Sequence, residues 1–197
     1  MNSGVTNQAG RIRTAMRACL ALLALILFAG QAHAKEVATT TASAQATVVA
    51  PLTLIKVSDI NFGRVAARTT AGTVTINVNT GACTTTGGVI HQGACQFAEF
   101  AGMGTKKMTT RIQVPGSITL TGPAGATMLV NTITLGTAPE LQFIGGNGNG
   151  LGNGNRRYEI VSNTGIFTFR VAGRLNVGAN QRPGVYTGTF NIVVQYQ

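Results

Sequence analysis

From residue 35 onward the chain carries one histidine, His91, one aspartate, Asp59, and four glutamates, Glu36, Glu99, Glu140 and Glu159. General acid–base and nucleophilic chemistry draw on such side chains, and two arrangements of them are conceivable. A serine served by His91 and Asp59 would need His91, enclosed between two cysteines, to meet a residue far upstream. Glu140 and Glu159 could act as paired carboxylates across the glycine-rich stretch that separates them. The other acids are scattered singly, and nothing in the spacing of either set assembles a site. The sequence reads as non-catalytic.

Cys83 and Cys95 flank His91. Two thiolates and one imidazole fall short of the four ligands of a structural zinc site, so neither a metal nor another cofactor is expected. An even pair of cysteines in an exported chain reads instead as a disulfide. Closing a short loop, it would contribute about 3 kcal/mol in the chain-entropy view.

Export is read from residues 1–34. Arg11, Arg13 and Arg17 precede an apolar run at 18–29, and Ala32-His33-Ala34 offers a small-x-small cleavage site before Lys35. That is the plan of a secretory signal peptide. The apolar run is too short to span a bilayer, which takes about 20 residues. The expected organisation is a cleaved signal at 1–34, an arm or first half of a strand at 35–50, and one domain at 51–197. Its destination is the periplasm, the cell surface or the medium, with no transmembrane span in the mature chain. Fifteen Lys and Arg against five acids give a net charge of +10, which falls to +7 without the three signal arginines. The charge is spread thinly, with doublets at Lys106-Lys107 and Arg156-Arg157, and no basic stripe is interleaved with aromatics. Nucleic acid is not an expected partner.

Any site must be held by short strands, because alternating runs recur between turn residues and no window shows a helical period. Strands are expected at about 42–55 (interrupted by Pro51), 59–65, 73–78, 97–100, 110–114, 117–121, 128–135, 141–144, from 166 through IFTFRVAGRLNV, and at 184–197. The glycine–asparagine stretch at 145–155 reads as a loop or hairpin tip. Eight to ten such strands indicate an all-β fold, an immunoglobulin-like antiparallel sandwich.

The ends of the chain are unusual. Residues 184–197, GVYTGTFNIVVQYQ, carry no charge, and one register runs Tyr186, Gly188, Phe190, Ile192, Val194, Tyr196. Exposed strand edges are normally blunted by Lys, Pro or a bulge, so this strand should be central or should receive a partner strand. Near the other end, Ala42, Ala44, Ala46 and Val48 fall in one register of a second uncharged run. That run could be an arm that lies beside the last strand of another copy, or simply the first strand of its own domain.

Gly184, fourteen residues from the end, and the penultimate Tyr196 resemble the C-terminal signature of chaperone–usher pilin subunits, and Asn61-Phe62-Gly63 is similar to a segment near the start of such domains. Together PLTLIKVSDINFG, GTVTINVN, GRLNVGANQRPGVYTGTF and VVQYQ resemble a family of exported bacterial domains catalogued as domain of unknown function 4402, which is similar to spore coat protein U and fimbrial domains. The resemblance implies a sandwich that strand exchange can complete. It also implies a structural subunit of a pilus-like appendage or surface coat, assembled by β-strand addition. Its partners would be identical or related subunits, a periplasmic chaperone and an outer-membrane usher. Carried over by position, Tyr186, Phe190, Ile192, Val194 and Tyr196 would face the assembly groove, and Gly184 would leave room for a bulky donor residue. The alternative is a self-contained secreted sandwich that binds a surface or glycan as an adhesin. The chain departs from the pilin pattern in its local disulfide and its alanine-rich arm. A membrane barrel is disfavoured, since too few runs reach spanning length and Gln197 follows the aromatic.

Overall fold

Alternating Val, Ile, Thr and Phe, punctuated by Gly, Pro and Asn, fold into eleven strands among the described residues. The computed structural model describes residues 43, 45–146 and 156–197. The chain divides into units at 1–46 and 47–197. Every strand among the described residues lies in the second unit; of the first, only Ser43, Gln45 and Ala46 are described. Among the described residues there is no α-helix, and no helix is long and apolar enough to cross a membrane.

The larger sheet runs β1 (Thr53–Ser58), β4 (Ala98–Met103), β10 (Ile166–Val177), β2 (Arg64–Ile76), β3 (Cys83–Gln92), with β7 (Thr127–Thr137) also on β10 and β6 (Ile118–Thr121) on β7. The smaller one runs β11 (Val193–Tyr196), β5 (Thr109–Gln113), β9 (Arg156–Ile160), β8 (Leu141–Gly145). All pairings are antiparallel. The core takes Phe167, Phe169 and Val171 from β10, Ile112 from β5 and Tyr158 and Ile160 from β9. Phe100 stacks on Phe169 with ring centroids 5.3 Å apart, and Phe190 meets Phe100 edge-on at 6.3 Å. The fold is the expected immunoglobulin-like antiparallel sandwich.

β10 organises the larger sheet. Ile166 to Val171 pair with β4, and from Arg174 the same side pairs with β2, while β7 lies along the other side. β2 and β3 form a ribbon folded back on itself. Their register jumps from Ala67↔Val89 to Gly72↔Gly87, so residues 68–71 loop out. The corner needs glycine: Gly87 sits at φ +69, and a Cβ there would strike the Ala71 carbonyl. The fold-back brings Cys83 at the start of β3 to Cys95 ahead of β4, with Cα atoms 5.9 Å apart, and the disulfide forms.

Five expectations change. The residues between the cysteines are not a loop, since most of them form β3. The runs at 59–65 and 73–78 contribute to one bent strand, β2, after an isolated bridge at Asn61. Arg156–Ile160 forms a strand not foreseen, paired with β8 across the glycine–asparagine stretch, most of which lies outside the described residues. The first strand starts at Thr53, beyond Pro51, so Ala46 and Val48 are outside it. The last strand is only Val193–Tyr196, because residues 184–192 find almost no backbone partner.

Candidate functional site

Two of the acid–base candidates, His91 and Asp59, have side-chain partners of their own. His91 Nε2 lies 2.9 Å from the Phe62 carbonyl and 3.3 Å from Cys95 Sγ. Asp59 pairs with Lys56 at 2.7 Å on the surface. Glu159 lies in β9 opposite Gln142, and Glu140 just precedes β8, where its backbone carbonyl accepts the Val161 N–H at 2.9 Å while its carboxylate Oε2 is buried with no hydrogen-bond partner among the described residues. His91, Cys83 and Cys95 do cluster, with ligand atoms within 4.8 Å of one another, but both sulfurs are consumed in the disulfide.

A groove lies elsewhere, and its first wall is built by Asn61-Phe62-Gly63. Asn61 exchanges backbone hydrogen bonds with Gln96, each 2.8 Å, and its Oδ1 accepts the Gly63 N–H at 2.8 Å. This turn delivers Arg64 to Ala67 against β3, with the disulfide behind it. β10 joins β2 only from Gly72 onward, so the second edge of residues 64–67 pairs with no strand among the described residues.

The second wall is the C-terminal segment. Thr187 exchanges hydrogen bonds with Thr121 at 2.8 and 3.0 Å, the one backbone pairing of residues 184–191 among those described. Tyr186 is fixed by its hydroxyl, which donates to the Arg182 carbonyl at 2.7 Å and accepts from Gln181 Nε2 at 2.8 Å. Between the walls runs a groove of about 720 Å³, lined by residues 60–67, 181–188 and Phe190, with Ile118, Leu120, Met128, Val130 and Val177 also facing it. Its lining includes no Asp, Glu, His, Ser or Cys. Such a surface can bind an apolar chain and satisfy backbone groups, but it offers no acid, base or nucleophile of the usual kinds.

The expected inward register is reproduced: Tyr186, Phe190, Ile192, Val194 and Tyr196 are half-buried while their neighbours are exposed. Tyr186, Gly184 and Phe190 line the groove, whereas Ile192, Val194 and Tyr196 pack on the core beyond it. Gly184, at φ +150, backs onto Pro123, and a Cβ there would collide with the proline ring. The absent side chain thus makes room for Pro123 of the same chain. The Tyr196 hydroxyl accepts from the Thr105 N–H at 2.8 Å and donates to the Ala50 carbonyl at 3.0 Å, and the Ala50 N–H donates to Thr105 Oγ1 at 2.8 Å. It staples the start of the domain to the β4–β5 connection. Ala46 is exposed and Val48 is 95 % exposed. Ala42, Ala44 and the cleavage residues Ala32, Ala34 and Lys35 lie outside the described residues.

Sequence reasoning missed Arg64, Arg182 and Pro123. The first two line the groove and the third supports its wall. Only Asn61-Phe62-Gly63 hinted at that wall. The geometry defines a class: a disulfide-bonded β-sandwich domain with an open groove of mixed polar and apolar lining beside its C-terminal segment. The chain belongs to the family described as Domain of unknown function (DUF4402), whose model matches residues 52–196. Comparison with curated proteins and with solved structures finds no match.

Proposed function

We propose that this protein is an exported, non-catalytic structural subunit of a fimbria-like appendage or surface coat, assembled when its groove accepts a β-strand from a neighbouring subunit. One observation carries the reading. The groove lies between residues 64–67 and 184–191, two backbone stretches with unpaired hydrogen-bonding groups over an apolar floor. β11, next in the chain, is itself an edge strand paired only with β5 among the described residues. A strand laid in the groove would satisfy both walls, each net hydrogen bond contributing about 0.5–1.5 kcal/mol. The alanines of an arm at 35–50 would add little by burial alone, at about 25 cal/mol per Å² of apolar surface. Contacts of this kind, head to tail, do not close and give a fibre. A periplasmic chaperone could cover the same groove before assembly.

The test is size-exclusion chromatography with light scattering on the exported chain, with and without residues 37–48. Polymers that revert to monomers on deletion are the expected result. A stable monomer in both cases would overturn the assembly reading and leave a self-contained surface-binding module, the adhesin alternative.

A further inference from the structure

Charge at the groove identifies what enters it. Arg64 and Arg182 both line the groove and both are exposed. The ion pairs among the described residues are Lys56–Asp59 and Arg170–Glu99, so neither groove arginine has an acidic partner there. A groove with an apolar floor (Ile118, Leu120, Met128, Val130), two exposed arginines and no acid in its lining matches an extended chain that is apolar on the inward face and carries a carboxylate on that same face.

The segment at 35–50 has this pattern. Its single acid is Glu36, which lies outside the described residues. Side chains alternate across an extended strand. In an extended arm Glu36 would therefore share its register with Ala42, Ala44, Ala46 and Val48, and Lys35 would fall in the opposite one. At about 3.3 Å per residue, the stretch from Glu36 to Ala50 would span about 50 Å if extended.

We infer that Glu36 of one copy pairs with Arg64 or Arg182 of the next, so that this ion pair sets the register of the inserted arm. The inference rests on the strand-acceptor reading of the groove. Alanines alone specify register weakly, because sliding the arm by two residues leaves the same face inward. A single carboxylate breaks that degeneracy.

Light scattering on the exported chain tests it through charge reversal. Both arginines are exposed, so the variants should fold. Glu36→Gln should weaken association about 2–5-fold, the range of a partly exposed pair, with a smaller effect at high salt. Glu36→Arg should weaken it further, and combination with Arg64→Glu or Arg182→Glu should restore it. Association indifferent to Glu36, or a reversal that neither partner rescues, would overturn the ion pair while leaving strand addition standing. A wild-type chain that does not associate at all would remove both.

Discussion

β10 buries Phe167, Phe169, Val171, Leu175 and Val177 at 3 % exposure or less, with β4 and then β2 on one side and β7 on the other. Residues 184–197 alternate in the same manner, yet Tyr186, Phe190, Ile192, Val194 and Tyr196 are only half-buried, and strand pairing is confined to the last few residues. The two stretches share a pattern and differ in their neighbours. Alternation fixes which face of a strand meets the core, but not how many edges of its backbone are occupied. Here the pattern promises a strand and the surroundings leave most of its backbone unpaired.

Hydrogen exchange should separate the two most widely. The amides of β10 should open only with global unfolding, typically at about 5–15 kcal/mol. Those of Val185, Tyr186 and residues 188–191, with no backbone acceptor among the described residues, should exchange at nearly the unprotected rate. Equal protection in an isolated monomer would erase the comparison. Protection gained by residues 185–191 only on assembly would sharpen it.

Side-chain truncation extends the contrast. Phe169→Ala removes a fully buried ring that stacks on Phe100 and should cost about 3–5 kcal/mol, read from the urea midpoint. Val185→Ala, at a side chain 80 % exposed, should change stability by less than about 0.5 kcal/mol. A comparable cost at both positions would mean that the C-terminal segment packs far more tightly than its exposure indicates. Next in size is the Cys83→Ser, Cys95→Ser double variant, expected to lose about 3 kcal/mol. Because the disulfide backs the β2 wall, exchange at residues 64–67 should rise in this variant more than exchange along β10.

Much of this architecture was legible in the residues. β4 to β8 and β10 fall close to runs that alternate visibly, the inward register of the C-terminal run is the observed one, and the disulfide is the one the cysteine count implied. β9 was hidden because RRYEI turns only Tyr158 and Ile160 into the core, too short a pattern to read without β8 beside it. β3 was hidden by its Thr- and Gly-rich composition, which serves a sharp fold-back rather than a flat strand. Of the groove only the C-terminal residues and Asn61-Phe62-Gly63 were legible, through resemblance, since its walls come from residues 60–67 and 181–190 and become neighbours only when β10 has placed β2 and β7.

Tyrosines mark the difference between core and edge a second time. Tyr158 in β9 is 2 % exposed, and burial pushes its hydroxyl above the ordinary tyrosine pKa, with a hydrogen bond and the charge of Arg156 pulling the other way. The folded state therefore holds this proton more tightly than the unfolded chain. Stability from this source is complete below the unfolded value near pH 10 and is lost as pH rises from there through the folded value. The loss should grow by no more than about 1.4 kcal/mol per pH unit. Alkaline titration of the urea midpoint reads it, and Tyr158→Phe should flatten that limb. An unchanged limb would assign the alkaline loss to other groups.

Tyr196 works at the edge, and its contribution is smaller and of another kind. Its hydroxyl links the Thr105 N–H to the Ala50 carbonyl, and those three groups join the last strand, the β4–β5 connection and the chain just ahead of β1. Tyr196→Phe keeps the ring on the core and removes only the link, so it should cost about 1 kcal/mol, the net value of one or two partly exposed hydrogen bonds. The more informative readout is local. Exchange at Thr105 should rise while β10 is unaffected, because the staple closes the foot of the domain and not its centre. If the segment at 35–50 leaves the molecule through Ala50, the same variant should also loosen the point from which that arm departs and weaken association in light scattering. A purely structural tyrosine would lower the urea midpoint and leave association alone, and the two measurements on one variant tell these roles apart.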